Sequence, residues 1–161
     1  MIDPKDGLTH LDESGSARMV DISNKQITAR VAEAEAFVSM SASVVRLLRE
    51  GAVEKGDAFG VARVAGIMAA KKTHELIPLC HPLGISEVKV DLEFADGGVK
   101  VSTQVKTTGR TGVEMEALTA AAVAALTLYD MCKSADKSII IERVGLVAKS
   151  GGRSGDWRRE E

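Results

Sequence analysis

Aromatic side chains are scarce in this 161-residue sequence, which holds three Phe, one Tyr and one Trp. Its core must therefore be filled by aliphatics and alanine, and a single-stranded nucleic acid would find few stacking platforms. Neither sign of charge dominates: 21 Lys+Arg stand against 23 Asp+Glu, a formal net charge of −2. Such a balance argues against a protein that works by neutralising a long phosphate backbone. Cysteine is limited to Cys80 and Cys132, and with three scattered histidines there is no CxxC or HxxxH spacing for zinc. Two thiols without a disulfide framework fit a reducing, cytoplasmic compartment. No uncharged apolar run reaches the roughly 18–20 residues that span a bilayer, and residues 1–16 are polar and acidic, unlike a signal peptide. Neither nucleic acid nor membrane is an expected partner. A chain this long can bury roughly 68–70% of its unfolded surface as one domain, without disulfide or metal staples.

The pattern along the chain divides into a mobile N-terminal arm (1–16), a single domain (17–149) and a flexible, Gly-rich basic tail (150–161). Residues 19–22 are a short strand candidate, and 27–40 alternate as a strand with Ala32, Ala34, Ala36 and Val38 on one face. Ser41 or Ser43 can cap a short helix through Glu50, stopped by Gly51, and Asp57 a second helix running to about Leu76. Pro78 and Pro82 stiffen the loop that follows. Strands 85–94 and 99–105 flank the hairpin turn Asp96-Gly97-Gly98, helix 113–134 is the longest, and 139–147 is a last strand. This order predicts an α+β, ferredoxin-like β-α-β-β-α-β antiparallel sheet with its helices on one face.

Chemistry concentrates around the longest helix. Its thirteen residues between Glu116 and Asp130 carry no charge, so it should be buried on every side. The small residues Ala120–Ala122, Ala124 and Ala125 would admit another helix closely, which predicts a homo-oligomer with this helix at or near the interface; a large intramolecular core is the alternative. Asp130 stands at the helix C-terminus, where the macrodipole disfavours an acid, and Lys133 follows on the same face. The pair reads either as an acid/base couple or as a local ion pair. Glu114 and Glu116 lie in the first turn, where carboxylates complement the dipole. Fourteen residues separate Glu116 from Asp130, roughly 21 Å along one helix, so both reach one small ligand only if different subunits supply them. His81 is held between prolines, as a structural residue or as a proton or phosphate contact. Cys80 lacks the apparatus of an acyl-transfer nucleophile. Lys55-Gly56, Gly109-Arg110-Thr111-Gly112 and Lys149-Ser150-Gly151-Gly152-Arg153 place basic residues beside glycines, and together suggest a small polyanion as ligand.

Several blocks resemble one family: Leu8-Thr9-His10, Met19-Val20-Asp21, Lys55-Gly56-Asp57, Ala65-Gly66-Ile67, Leu76-Ile77-Pro78-Leu79-Cys80-His81-Pro82-Leu83, Thr111-Gly112-Val113-Glu114-Met115-Glu116-Ala117-Leu118-Thr119, Tyr129-Asp130-Met131-Cys132-Lys133 and Ala148-Lys149-Ser150-Gly151-Gly152. Through essentially the whole chain the sequence is similar to the cyclic pyranopterin monophosphate synthases, molybdenum-cofactor biosynthesis protein C. The resemblance implies a hexamer built as three dimers with active sites at dimer interfaces. It implies conversion of the small-molecule substrate 3′,8-cyclo-7,8-dihydroguanosine 5′-triphosphate to cyclic pyranopterin monophosphate with release of pyrophosphate. No redox cofactor is needed, and Mg²⁺ with the triphosphate is left open. Carried over by position, the catalytic aspartate is Asp130, with Lys133 and Lys55 as catalytic lysines. The substrate-contacting segments are Leu79-Cys80-His81 and Met115-Glu116, and Arg30, Lys71 and Lys149 match basic positions suited to phosphates. An Asp/Lys couple near neutral pKa would supply the proton transfers of ring opening and closure. The rival reading is a catalytically silent ferredoxin-like oligomer that holds a nucleotide.

Overall fold

Alternation along residues 28–39 buries Ala32, Ala34, Ala36 and Val38 and leaves Glu33 and Glu35 on the opposite face, as a half-buried strand requires. The computed structural model describes residues 14–160; most of the expected arm, with His10, lies outside them. The elements are β1 (Thr28–Ser39), α1 (Ala42–Arg49), α2 (Ala58–Lys71), α3 (Thr73–Leu76), β2 (Ile85–Ala95), β3 (Gly98–Gly109), α4 (Glu114–Cys132), β4 (Ile140–Ser150) and β5 (Trp157–Arg158). They form one antiparallel sheet in the order β2-β3-β1-β4-β5. The first four strands thus follow the ferredoxin-like order, with α2 and α4 on one face. The other face is polar, crossed by ion pairs such as Lys100 with Glu35 at 3.1 Å.

Four boundaries differ from expectation. Residues 19–22 form no strand, because the Asp21 carboxylate accepts from the Ser23 N–H at 2.8 Å and turns the chain locally. The second helix breaks at Lys72, where the Thr73 hydroxyl bonds back to the carbonyls of Ala69 and Ala70 at 3.3 and 3.0 Å. β4 continues through Lys149 and Ser150. Beyond it, the segment expected to be a flexible tail returns as β5, pairing Lys149 with Trp157 and Ala148 with Arg158. Arg158 and Arg159 extend this return across the polar face to Glu33 and Glu35.

The alanine stripe of α4 packs inside its own chain. Gly66 of α2 lies so close that an added Cβ would stand 3.0 Å from the Ala120 carbonyl oxygen and 3.2 Å from the Ala124 Cβ. Ala117, Ala120, Ala121, Ala124, Ala125 and Leu128 are fully buried between α2 and the sheet. Within the chain, the close neighbour of those small residues is α2. α4 is also not covered all round: Leu126 is 57% exposed, and on α2 Val61, Val64 and Met68 share an exposed apolar stripe at helical spacing.

Candidate active site

At the C-terminal end of α4, two lysines clasp Asp130. Lys133 Nζ lies 2.6 Å from Oδ1, and Lys55 Nζ lies 2.6 Å from Oδ2. Lys55 also donates to the Asp130 main-chain carbonyl at 2.8 Å, which satisfies a helix-end acceptor. The unfavourable dipole that singles out Asp130 is thus offset by two cations, one from the neighbouring turn and one from the α1–α2 connection. Hydrogen bonds from Lys133 and then Lys55 hold the Asp130 carboxyl down at about 2, and Asp130 in turn raises Lys133. This corrects the expected near-neutral couple: the partners drive each other's pKa apart. Two ammonium groups on one carboxylate leave one positive charge uncompensated, a suitable counter-charge for phosphate.

The opposite end of α4 gathers a second group. Glu116 is 4% exposed, and burial together with the nearby Glu114 pushes its carboxyl above the usual range, although its own backbone N–H counters part of this. Cys80 stands close enough to feel Glu116, and burial first, then that negative charge, raise its thiol. A thiol so raised is a poor nucleophile at neutral pH, which agrees with the absence of acyl-transfer apparatus. Leu79, Cys80 and His81 are half-buried in the loop before β2, while Met115 is exposed on the first turn of α4. The loop is shaped by the Cys80 N–H donating to Ile77 at 3.1 Å and by the Thr107 hydroxyl donating to Gly84 at 2.7 Å. His81 also faces Asp21, whose carboxyl is lowered mainly by Ser23 and further by the imidazole.

Beside this group opens a cleft of about 720 Å³ lined by Lys25, Arg30, Arg110, Glu114, Arg153 and Ser154, among others. Arg30 is fixed from β1, donating through Nε to the Gly109 carbonyl at 3.1 Å and through Nη2 to that of Arg110 at 3.2 Å. Lys149 projects from β4 to Glu114 Oε1 at 3.1 Å and to the Ser154 hydroxyl at 3.3 Å. Glu114 therefore does more than complement the helix dipole. Lys71 is not brought here; it lines a separate groove with Ile67, Leu83 and Ile85.

Within one chain the predicted residues thus divide into three places: the Lys55–Asp130–Lys133 clasp, the Cys80–Glu116 group with its basic cleft, and Lys71. Arg110 and Arg153 were visible in the sequence only as basic residues beside glycines, and the cleft gives them a common location. Lys25 carried no comparable signal, because only the folded Asn24-Lys25-Gln26 segment brings it there. Among the described residues no group of three or more His, Cys, Asp or Glu is arranged to hold a metal ion.

Several proteins of similar sequence carry one name. A cyclic pyranopterin monophosphate synthase of Streptomyces coelicolor is 58% identical over 157 residues, covering 98% of this chain and 92% of its own length. One from a Nocardioides strain is 59% identical over 162 residues, 99% of each chain. A third, from Thermomicrobium roseum, is 57% identical over 156 residues, 96% of this chain and 94% of the relative. The MoaC family model matches residues 19–152, a stretch containing both ends of α4 and every residue carried over from the resemblance. With near-complete coverage at this identity, the chain belongs to the MoaC family.

Proposed function

We infer that this chain is a phosphorus–oxygen lyase of molybdenum-cofactor (molybdopterin) biosynthesis, a cyclic pyranopterin monophosphate synthase acting on 3′,8-cyclo-7,8-dihydroguanosine 5′-triphosphate. The observation that carries the mechanism is the doubly paired Asp130. A carboxylate holding two ammonium groups is a weak base, and it gains basicity when one lysine is drawn away. A substrate phosphate is the group that can draw one away. Binding would then convert a resting ion pair into a working couple: Asp130 accepts a proton, and the displaced lysine donates one or stabilises charge during ring opening and pterin closure. In the final step a substrate hydroxyl displaces pyrophosphate from the α-phosphorus. One P–O bond forms, one breaks, and the leaving charge falls to basic residues such as Arg30, Arg110 and Arg153, with Lys149 beside them. A divalent cation, where one is used, would arrive on the triphosphate.

Glu116 and Asp130 stand roughly 21 Å apart along one α4, too far for one small ligand. We therefore assign each working site to two subunits, in a hexamer built as three dimers with sites at the dimer interfaces. The exposed Val61, Val64, Met68 and Leu126 offer apolar surface for such contacts. The two free cysteines fit a cytoplasmic setting.

Turnover by Asp130→Asn is the test. Purified variant should bind substrate with near-parental affinity while product formation falls by two orders of magnitude or more, as for removal of a general acid/base group. Near-parental turnover would overturn the assignment and favour the rival, a nucleotide-holding oligomer without chemistry.

A further inference from the structure

The basic cleft is completed by a turn at the end of β4, and that turn is closed by a residue outside the chemistry described so far. Gly151 and Gly152 adopt φ of +86° and +78°, and the Gly155 N–H donates to the Gly152 carbonyl at 3.3 Å. Asp156 then reaches back: its Oδ1 accepts from the Gly151 N–H at 3.1 Å. Immediately after it, β5 pairs with β4, so the loop is the tip of a β4–β5 hairpin whose base is fixed on both sides. The tip packs tightly against β1. A Cβ on Gly151 would run into the Ala29 carbonyl oxygen, and one on Gly152 into the Arg30 guanidinium. The same tip lines the cleft with Arg153 and Ser154, and Ser154 accepts from Lys149.

We propose that Asp156 is a positioning residue for polyphosphate binding: by tying the hairpin tip to Gly151, its carboxylate sets where Arg153 stands in the cleft, beside an Arg30 already fixed from β1. Asp156 is itself an anion beside a basic cleft, and as a free charge it would weaken phosphate binding. Its role is the hydrogen bond to Gly151, which an amide oxygen can also accept. The proposal rests on the functional reading above, which makes phosphate the ligand of this cleft.

The test is inorganic pyrophosphate binding by calorimetry on the full chain, alongside steady-state kinetics with the cyclic triphosphate. Asp156→Ala should raise both the pyrophosphate Kd and KM about fivefold, as for one lost hydrogen bond, with kcat within about twofold of the parent, because the Asp130 clasp is untouched. Asp156→Asn should return both values close to the parent's. Arg153→Ala should show a loss of similar size, and the double variant Asp156→Ala/Arg153→Ala little further loss, since both act through one placement. Unchanged affinity in Asp156→Ala, equal impairment in Ala and Asn, or additive losses in the double variant would each overturn the proposal. If Asp156→Ala does not fold, unchanged pyrophosphate affinity in the exposed Arg153→Ala overturns it alone. A parent enzyme without turnover or pyrophosphate affinity would refute the functional reading and this proposal together; a fully active parent with an indifferent Asp156→Ala would refute only the latter.

Discussion

Glu116 is where burial and charge pull hardest against each other. Its carboxylate is buried next to Glu114, and its raised pKa means that ionisation at neutral pH costs folding stability. The sign is opposite for Asp130: its pKa of about 2 lies below the ordinary 3.8, so that stabilisation is present above about pH 4 and lost as pH falls toward 2. Lys133, raised by Asp130, contributes below its ordinary 10.5 and loses that contribution at higher pH. Of the two acids, Glu116 is therefore the one expected to titrate at the higher pH. In Glu116→Gln, thermal melts at pH 7 should show a higher Tm than the parent, and the gap should narrow as pH is lowered; a lower Tm at pH 7 would contradict the placement. The acid limb of its kcat/KM profile, above pH 4.5 in the parent, should disappear together with much of the activity. Asp130 was legible in the sequence because an acid at a helix C-terminus is the wrong sign for the dipole. Lys55, 75 residues away, was not legible by spacing, since only the tertiary fold brings it to that carboxylate; there the family resemblance supplied what periodicity could not.

Helix α2 and strand β1 meet α4 through small residues, and this close approach is the chief constraint at the level of elements. Gly66 is its tightest point, bounded by the Ala120 carbonyl, the Ala124 methyl and Val90 Cγ2. Gly66→Val should force α2 away from α4 and lower the unfolding free energy by about 1–3 kcal/mol, the usual cost of overpacking, readable as a lower denaturant midpoint. Alternation and helix periodicity made the four main strands and the α2 and α4 helices legible. The break at Lys72 depends on a threonine choosing its own turn's carbonyls, and β5 depends on pairing and on arginine contacts across the sheet. Neither leaves a periodic trace. Alanine spacing correctly predicted a close helix neighbour, but composition alone could not tell an internal neighbour from one in another chain.

At the scale of the whole molecule, the near-neutral charge conceals segregation. Cations collect at the two ends of one helix whose middle carries no charge, around Asp130 and around the basic cleft, while the polar sheet face pairs its charges internally. On the proposed reading, one chain holds both halves of the chemistry but keeps them about 21 Å apart, and the exposed apolar stripe on α2 is surface that a second chain would cover in bringing them together. The most direct measurement is complementation: mix inactive Asp130→Ala and Glu116→Ala subunits, confirm by mass spectrometry that they exchange, and assay pyrophosphate release. Shared sites predict that mixed oligomers regain up to about a quarter of parental activity for random pairing in two-subunit sites. No recovery despite confirmed mixing would contradict the account.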